Sequence, residues 1–257
     1  MACSVNVDSY FLADTVPVTS YPFSITGWFR VNQGSQYTSL VGLSNVTPSA
    51  DYQLFYEGNS TRKFGLNANV SGSAVARSAV PMVIGQWHYL TANFTSNTYR
   101  EVLLDGGNSG VNTATRAFVG ADTFYVGNTI NTSLAEIAEL AVVGTTISSE
   151  EATLLAQGLP LLATRFANDV LAYYDFLRNT NRPGLGPRLV SQGSPSVVNH
   201  PRVLSAIAGQ SLSVPVRVCG PWQVEQALSR GTYAGMGQHS VTGVDSSDLI
   251  LAGEVTS

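Results

Sequence analysis

Glu136 and Glu139 are the residues of this 257-residue chain whose type and spacing come closest to a hydrolytic site. Two carboxyl groups about 5 Å apart can cleave a glycosidic bond, one as acid and base and the other as nucleophile. Both glutamates fall in a run, residues 135–143, that predicts a β-strand. Because successive side chains of a strand point to opposite faces, residues three apart are predicted to lie on opposite faces. The spacing therefore argues against a catalytic pair.

The three histidines, His88, His200 and His239, are far apart in the sequence. Spacing alone leaves a histidine-centred triad or metal site open, but a packed or surface side chain is the simpler interpretation of each. The chain has no Gly-rich phosphate loop after a strand, no His-Glu-x-x-His motif and no Gly-x-Ser-x-Gly motif. The sequence therefore predicts a protein that is not an enzyme.

Composition limits the classes of function. Apolar residues make up 44% of the chain, enough for a sizeable core, whereas charged residues make up only 12%. The surface must consist largely of Ser, Thr, Asn, Gln and Gly, as is common on proteins outside cells or in assemblies. The net charge is −4 and no basic run is longer than Arg62-Lys63. This argues against a nucleic-acid partner, because phosphate contacts need clustered Lys and Arg.

The sequence predicts neither a secretory signal peptide at residues 1–8 nor a membrane span. Residues 1–8 lack the basic and apolar regions of a secretory signal peptide, and no stretch approaches the roughly 20 apolar residues of a membrane span. We expect a soluble protein that is made in a cytoplasm. Cys3 and Cys219 are too few for a disulfide framework, and two free thiols or one bridge between them are the alternatives.

Short runs of β-branched and aromatic residues, separated by Gly, Pro, Asn and Ser, predict a mostly antiparallel β protein. In the run 23–31, the side chains of residues 23, 25 and 27 are predicted to face one side of the sheet. Those of residues 24, 26 and 28 are predicted to face the other side. Turn signals such as Asp105-Gly106-Gly107 join the runs, as a two-sheet sandwich requires. The predicted strands are 23–31, 38–43, 52–56, 63–70, 86–94, 99–104, 123–126, 135–143 and 171–176.

One segment predicts a helix. Ser148 is a favourable N-cap, and Glu151, three residues later, completes a capping box. Gly158 and Pro160 supply the stop signal. A short α-helix is therefore predicted between Ser148 and Gly158.

The pattern changes towards the C-terminus. Residues 178–201 are rich in Pro, Gly, Ser and Asn and predict a loop with at most one short strand, near 188–190. Residues 212–218 predict an edge strand, because Pro215 cannot donate to an interior ladder. The weakly periodic stretch 231–257 is interpreted as a tail or arm. These boundaries predict a domain at 1–203 and a C-terminal extension at 204–257.

Four stretches in this order resemble the laminin-G/concanavalin A-like jelly-roll superfamily, particularly its versions in phage and bacterial proteins. Residues 21–30, which include Trp28-Phe29, are similar to the early strand, and Gly85-Gln86-Trp87-His88 is similar to the start of the central strand. Residues 101–107 resemble the hairpin that follows, and 135–143 with the capped helix resemble the closing strand and helix. The resemblance implies an all-β, two-sheet antiparallel jelly-roll sandwich with one short helix and a C-terminal extension.

The resemblance also bears on catalysis and on metal binding. The superfamily includes β-glucanases, whose Glu-x-Asp-x-Glu strand is not matched here, because Ala138 replaces the Asp and the second Glu is displaced by one residue. Many relatives hold a calcium ion at the sandwich rim through carboxylate and carbonyl oxygens. A calcium site and ordinary turn residues are the two interpretations of the acidic loops. The candidate ligands are Asp51, Asp105, Asp122 and Asn128.

Residues 173–176 and 198–201 resemble segments that trail such domains in phage virion proteins. The chain is therefore predicted to be a non-enzymatic virion component, a capsid decoration (cement) or appendage protein. Its expected partners are other virion subunits or further copies of itself. The predicted interface residues are Leu212, Val214, Val216 and Trp222. The alternative is a carbohydrate-binding adhesin or tail receptor-binding module that binds a cell-surface glycan outside the cell, and a degenerate glycoside hydrolase is the third hypothesis.

Overall fold

The computed structural model describes residues 2–6, 8–33, 37–45, 50–58, 61–127, 134–176 and 185–199, together with the backbone of two strands near the C-terminus. The chain divides into two compact units, Met1–Val203 and Leu204–Ser257. The first unit consists of two antiparallel sheets and one α-helix, which confirms the predicted jelly-roll sandwich. None of the helices in the described residues is long and apolar enough to span a bilayer.

One sheet of the first unit has eight strands. Along the sheet the order is β10-β9-β8-β3-β12-β1-β15, and β13 also pairs with β12. Its strands are β1 (Ala2–Val5), β3 (Phe23–Val31), β8 (His88–Ser96), β9 (Tyr99–Leu104), β10 (Gly107–Asn112), β12 (Ala135–Val143), β13 (Val170–Tyr174) and β15 (Ser196–Val198).

The second sheet has seven strands, in the order β14-β2-β11-β4-β5-β6-β7. Chain neighbours β4, β5, β6 and β7 are also neighbours in this sheet, so hairpins connect them. Its strands are β2 (Tyr10–Ala13), β4 (Thr38–Asn45), β5 (Ala50–Glu57), β6 (Lys63–Val70), β7 (Val75–Arg77), β11 (Thr123–Val126) and β14 (Leu189–Gln192).

The main core lies between the two sheets and is rich in aromatic side chains. Phe23 and Phe94 of the eight-stranded sheet stack with ring centroids 4.6 Å apart, and Tyr52 of the seven-stranded sheet meets Phe94 edge-on. All three side chains are completely buried. Burial of one such side chain contributes about 1.5–3 kcal/mol, so this aromatic set is a major source of the sandwich's stability.

A smaller core lies on the outer face of the eight-stranded sheet, where helix α1 (Ser149–Ala156) and two 3₁₀ turns cover it. The predicted capping box is present: Ser148 Oγ accepts from the Glu151 amide, and the Glu151 carboxylate accepts from the Ser148 amide at 3.0 Å. Asn93 fixes the segment before the helix, because its side chain donates to Ile147 O at 2.8 Å and accepts from Ile147 N at 3.1 Å. Part of this outer face is therefore occupied by the protein itself.

Strand β12 is irregular. Its pairing with β3 shifts register between Ala138 and Ala141, and Glu139 has a φ of 50°. Ile137 faces the main core before the shift and Leu140 faces it after the shift. Core-facing residues three positions apart indicate one extra residue, which is a β-bulge. The strict alternation assumed from the sequence is therefore wrong at Glu139.

The structure also differs from the sequence predictions near the chain ends. Residues 185–199 contain two strands, β14 and β15, where at most one was predicted, and each forms the edge of a different sheet. In the second unit, β16 (Ser240–Asp245) and β17 (Asp248–Glu254) pair as an antiparallel hairpin. No strand was predicted in the stretch 231–257, because it is rich in Gly, Ser and Asp and only weakly periodic, and its interpretation as a tail or arm stays a prediction.

Candidate functional site

The outer face of the seven-stranded sheet combines aromatic rings with polar side chains. In β5 the residues Tyr52, Leu54 and Tyr56 belong to the main core, so the residues between them point outward. The same alternation holds in β6, which pairs with β5, and in β11, which is separated from β5 by β4. The term "aromatic face" denotes the resulting group of side chains, which comprises Tyr37, Asp51, Gln53, Phe55, Asn67 and Tyr125.

Two glycines provide the space in which the rings of this face lie. Gly42 of β4 is paired with Tyr125 of β11, and a Cβ at Gly42 would lie 2.3 Å from the Tyr125 hydroxyl oxygen. Gly65 of β6 is paired with Phe55 of β5, and a Cβ at Gly65 would lie 2.4 Å from the tip of the Phe55 ring. Each ring therefore lies across the backbone of a neighbouring strand rather than projecting away from the sheet.

Tyr37 stacks on Phe55. The two ring centroids are 4.8 Å apart and the ring planes are inclined by 23°. Phe55 is only 2% exposed, whereas Tyr37 is partly exposed. Burial raises the pKa of the Tyr37 hydroxyl, and the negative charges of Asp51 and Glu57 raise it further. Tyr37 thus presents a partly exposed ring with a protonated hydroxyl, within electrostatic reach of the carboxylates of Asp51 and Glu57.

Asp51 supplies a carboxylate near the start of β5, at the end of the face opposite Glu57. Its Oδ1 accepts from the Tyr125 hydroxyl at 3.0 Å, and the Tyr125 oxygen accepts from Ser39 Oγ at 3.3 Å. Burial raises the pKa of Asp51 from 3.8 to about 6, against the opposing effect of the hydrogen bond from Tyr125. Burial also raises the pKa of Tyr125, and the Asp51 charge raises it further, so Tyr125 remains a donor. Asp51 is therefore ionised at neutral pH but close to protonation.

Two amide side chains flank this carboxylate along the sheet. Gln53 is half-buried and is paired across the strands with Gly42 and with Asn67. The Asn67 side-chain oxygen accepts from Ser73 Oγ at 2.9 Å and from the Ala74 amide at 3.2 Å, so its orientation is fixed. The aromatic face thus combines the amide groups of Gln53 and Asn67 with the Asp51 carboxylate and with aromatic rings.

A charged pair closes one end of the face. Arg77 of β7 donates two hydrogen bonds to the carboxylate of Glu57, at 2.8 and 3.0 Å. The Thr61 hydroxyl also donates to Glu57, at 2.9 Å. The hydrogen bonds from Arg77 lower the pKa of Glu57. Glu57 therefore forms an ion pair with Arg77, whereas Asp51 accepts from the uncharged Tyr125 hydroxyl.

Glu136 is far from this arrangement, on the outer face of the eight-stranded sheet. It is 6% exposed, its Oε2 accepts from Arg30 Nε at 2.7 Å and its Oε1 accepts from Asn32 at 2.8 Å. Arg30 in turn lies 5.1 Å from the centroid of the Trp87 ring. Because both carboxylate oxygens are occupied by donors from β3 and the residue after it, Glu136 ties β12 to β3.

Glu139 lies on the same outer face as Glu136, which corrects the prediction of opposite faces. Burial raises the pKa of the Tyr89 hydroxyl, and the Glu139 charge raises it further despite a hydrogen bond with Thr26. Tyr89 belongs to the small outer core under the helix, so Glu139 is on that side of the sheet. The bulge inserts one extra residue between the two glutamates, so side chains three positions apart point to the same face of the sheet.

His88 is packed, one of the two positions that the sequence left open, and its ring is hydrogen-bonded to two residues. Its Nδ1 lies 2.7 Å from Asp105 Oδ2, and its Nε2 lies 3.1 Å from the Val83 amide. The second oxygen of Asp105 accepts from the Tyr89 amide at 2.9 Å. These contacts join β8 to the β9–β10 turn. His200 and His239 lie outside the described residues.

The candidate calcium ligands are distributed over different places. Asp51 is on the aromatic face, Asp105 is bonded to His88 in the other sheet, and Asp122 is exposed at the start of β11. Asn128 lies outside the described residues. In the part of the chain that the structure describes, no group of three or more His, Cys, Asp and Glu side chains is arranged to hold a metal ion. Calcium binding stays a prediction.

The predicted C-terminal interface lies outside the described residues, and so does Cys219. Cys3 is a buried free thiol in β1, and burial raises its pKa. The interface therefore stays a prediction, with the same residues: Leu212, Val214, Val216 and Trp222.

The aromatic face was not predicted from the sequence, although a signal for it exists. Gly42 and Gly65 interrupt strands at outward-facing positions, where glycine often marks the close approach of another group. Asp51, Gln53 and Asn67 occupy outward positions of β5 and β6. Glycine beside aromatic, amide and carboxylate residues on one side of adjacent strands is the pattern that would have identified it.

Comparisons with known proteins agree on the fold. The structure is similar to the native heptameric SAP-like pentraxin of Limulus polyphemus, with a TM-score of 0.54, 7% identity, and coverage of 76% of this chain and 93% of the pentraxin. It is equally similar to a Bacteroides ovatus protein named as a candidate carbohydrate binder, with a TM-score of 0.54 and 12% identity. That match covers 78% of this chain and 60% of the Bacteroides chain.

A search of curated protein sequences found no match. Residues 6–153, more than half of the chain, match the sequence profile of the concanavalin A-like lectin/glucanases superfamily. The sandwich topology and both structural neighbours agree with this match. The protein belongs to the concanavalin A-like lectin/glucanases superfamily.

Proposed function

We propose that this protein is a non-catalytic carbohydrate-binding protein that holds a saccharide on the aromatic face. A sugar ring has an apolar C–H side and a rim of hydroxyl groups, so a site for it combines aromatic surface with a few polar groups. The observation that carries the proposal is the partly exposed Tyr37 ring stacked on Phe55, within electrostatic reach of Asp51. The lectin-like fold and the neighbour from Bacteroides support it.

The aromatic face is built to stay in place when a ligand binds. Phe55 is buried beneath Tyr37, and the Tyr125 ring crosses Gly42 and is hydrogen-bonded to Asp51. Side chains that are already ordered lose little conformational entropy on binding, so more of the contact energy is realised as affinity. A sugar chain laid along β5 would meet aromatic, amide and carboxylate groups in succession.

A glycan array probed with the full-length chain at pH 7.5 tests the proposal, followed by calorimetric titration of the strongest neutral oligosaccharide. The proposal predicts saturable binding that Tyr37→Ala weakens about tenfold or more, equivalent to about 1.4 kcal/mol. Tyr37→Phe retains the ring and is expected to retain most of the affinity.

The matched control is Tyr99→Ala. Tyr99 is 40% exposed in β9 of the other sheet, so its removal tests loss of a surface tyrosine away from the aromatic face. Circular dichroism of each variant verifies the fold. Absence of any saccharide binding, or equal loss in Tyr37→Ala and Tyr99→Ala, would contradict the proposal.

A structural role for Glu136 supports the non-catalytic part of the proposal. Glu136 is 6% exposed and its oxygens accept hydrogen bonds from Arg30 and Asn32, as expected of a carboxylate that holds two strands together. Incubation of the wild type with its strongest array saccharide should therefore release no reducing sugar. Release that Glu136→Gln abolishes without unfolding the protein would instead support a glycoside hydrolase.

The second proposed role is assembly in a bacteriophage virion, through the C-terminal unit. Two observations favour an assembly role: the low share of charged residues, 12%, and the second compact unit at Leu204–Ser257, which has its own hairpin. The virion setting rests on the resemblance of residues 173–176 and 198–201 to segments of phage proteins. Contacts through Leu212, Val214, Val216 and Trp222 are part of this proposal. A carbohydrate-binding face and an assembly unit are compatible in one chain.

Size-exclusion chromatography with light scattering tests the assembly role. The full-length chain is expected to form a defined oligomer, and a chain truncated after Val203 is expected to be a folded monomer. Two folded monomers would contradict self-assembly through the C-terminal unit.

A further inference from the structure

Asp51 differs from the other carboxylate on the outer side of β5. Glu57 is bonded to Arg77, whereas Asp51 has no basic partner among the described residues. One of its oxygens accepts from Tyr125, an uncharged donor. An ionised carboxylate that is partly buried and lacks a cation remains a strong acceptor for the hydroxyl or ammonium groups of a ligand.

We propose, on the basis of the proposed carbohydrate-binding function, that Asp51 accepts hydrogen bonds from the saccharide, selects neutral and amino sugars over uronic or sulfated ones, and weakens binding when it is protonated. The selection follows from charge. A sugar carboxylate placed on this face would approach the uncompensated charge of Asp51 in a partly buried site, where repulsion is stronger than in water. A hydroxyl or ammonium group would meet a charged acceptor instead.

Between pH 7.5 and pH 5, the charge of Asp51 changes while the groups around it on the aromatic face keep theirs. Tyr37 and Tyr125 have raised pKa values, so both remain neutral at pH 5–7.5. At the far end of the face, Glu57 has a lowered pKa and stays ionised against Arg77, beside the cation Lys63. The strand β4 contributes Ser39 and Ser44, and β6 contributes Asn69, which do not titrate; Asp122 is exposed at the start of β11.

The expected size of the effect follows from the pKa of Asp51, about 6. At pH 7.5 nearly all of the protein carries ionised Asp51. At pH 5 only about one molecule in ten does, so a saccharide that needs the ionised form binds roughly tenfold more weakly. Protonation also reduces the repulsion of an acidic sugar.

The test is calorimetric titration at pH 7.5 and pH 5.0 with two probes: the neutral oligosaccharide of strongest array signal and its C6-oxidised, uronate form. The wild type is expected to bind the neutral probe roughly tenfold more weakly at pH 5.0. It is expected to bind the uronate probe more weakly than the neutral one at pH 7.5, with a smaller difference at pH 5.0. Asp51→Asn is expected to bind the neutral probe more weakly at pH 7.5, with little change between the two pH values.

Asp8→Asn is the matched control, because Asp8 is an exposed aspartate in the turn between β1 and β2. It should keep the pH dependence of the wild type. If no saccharide of any charge binds at pH 7.5, the proposed function itself is wrong. If only acidic saccharides bind, the selectivity assigned to Asp51 is wrong and the proposed function is not. If the neutral probe binds with equal affinity at both pH values, or if Asp51→Asn keeps the wild-type pH dependence, only the role of Asp51 is wrong.

Discussion

Replacement of Asp51 by Asn should make the protein more stable at neutral pH. The pKa of Asp51 rises from 3.8 to about 6 on folding, chiefly because of burial. The folded state therefore binds this proton more tightly than the unfolded state does. The favourable contribution is complete below pH 3.8, and it is lost as the pH rises through about 6. At pH 7.5 the ionised side chain thus destabilises the fold.

The size of the effect can be bounded. A rise in pKa from 3.8 to about 6 corresponds to about 3 kcal/mol at most. Asp51 is only half-buried, so solvent screening reduces the expected gain to about 1–2 kcal/mol. The Asn oxygen can still accept the hydrogen bond from Tyr125, so the substitution removes the charge without removing the contact.

Urea denaturation of the wild type and of Asp51→Asn at pH 7.5 and at pH 4.0 measures this directly. The variant should be about 1–2 kcal/mol more stable at pH 7.5, and the difference should shrink towards zero at pH 4.0. Asp8→Asn should change stability little at either pH. If the variant is less stable than the wild type at pH 7.5, the conclusion that ionised Asp51 destabilises the fold is refuted.

Three further predictions concern substitutions to alanine, the first with a matched control. Gly42→Ala should displace the Tyr125 ring, because the new Cβ would lie 2.3 Å from the Tyr125 hydroxyl oxygen. Calorimetry should then show saccharide binding about tenfold weaker than in the wild type. Gly107→Ala is the control, because its new Cβ meets open space and should leave the affinity unchanged. Glu136→Ala should lower the free energy of unfolding by about 2–3 kcal/mol, because Arg30 loses its partner, and should leave saccharide affinity unchanged; lost affinity would point to the wrong face. Ser148→Ala should cost about 1 kcal/mol in urea denaturation through loss of the helix cap, and no change would contradict the observed capping box.

The sequence predicted much of the fold because its local signals agree with the tertiary structure. The run 23–31 became β3 with the predicted bounds, and Ser148 and Glu151 form the predicted capping box. The short edge strands β7, β10 and β15 were missed, because strands of only three to six residues carry little periodicity. Their pairing is fixed by the neighbouring strands rather than by their own residues.

The candidate site was harder to predict than the fold. The outward residues of β5 and β6 are recognisable only when the strand register is known, because Gln53 and Asn67 meet across 14 positions of the chain. Tyr37 precedes β4 and reaches the face by stacking on Phe55, which no local pattern indicates. The bulge at Glu139 was likewise invisible, since its φ of 50° belongs to a residue that is not glycine.

Mapping of backbone amide chemical shifts during titration with the strongest neutral saccharide would locate the binding site on the protein. We expect the perturbed amides to cluster in β4, β5, β6 and β11, around Tyr37, Asp51 and Tyr125. Perturbations confined to the eight-stranded sheet, or to the second unit, would show that the aromatic face is not the binding site.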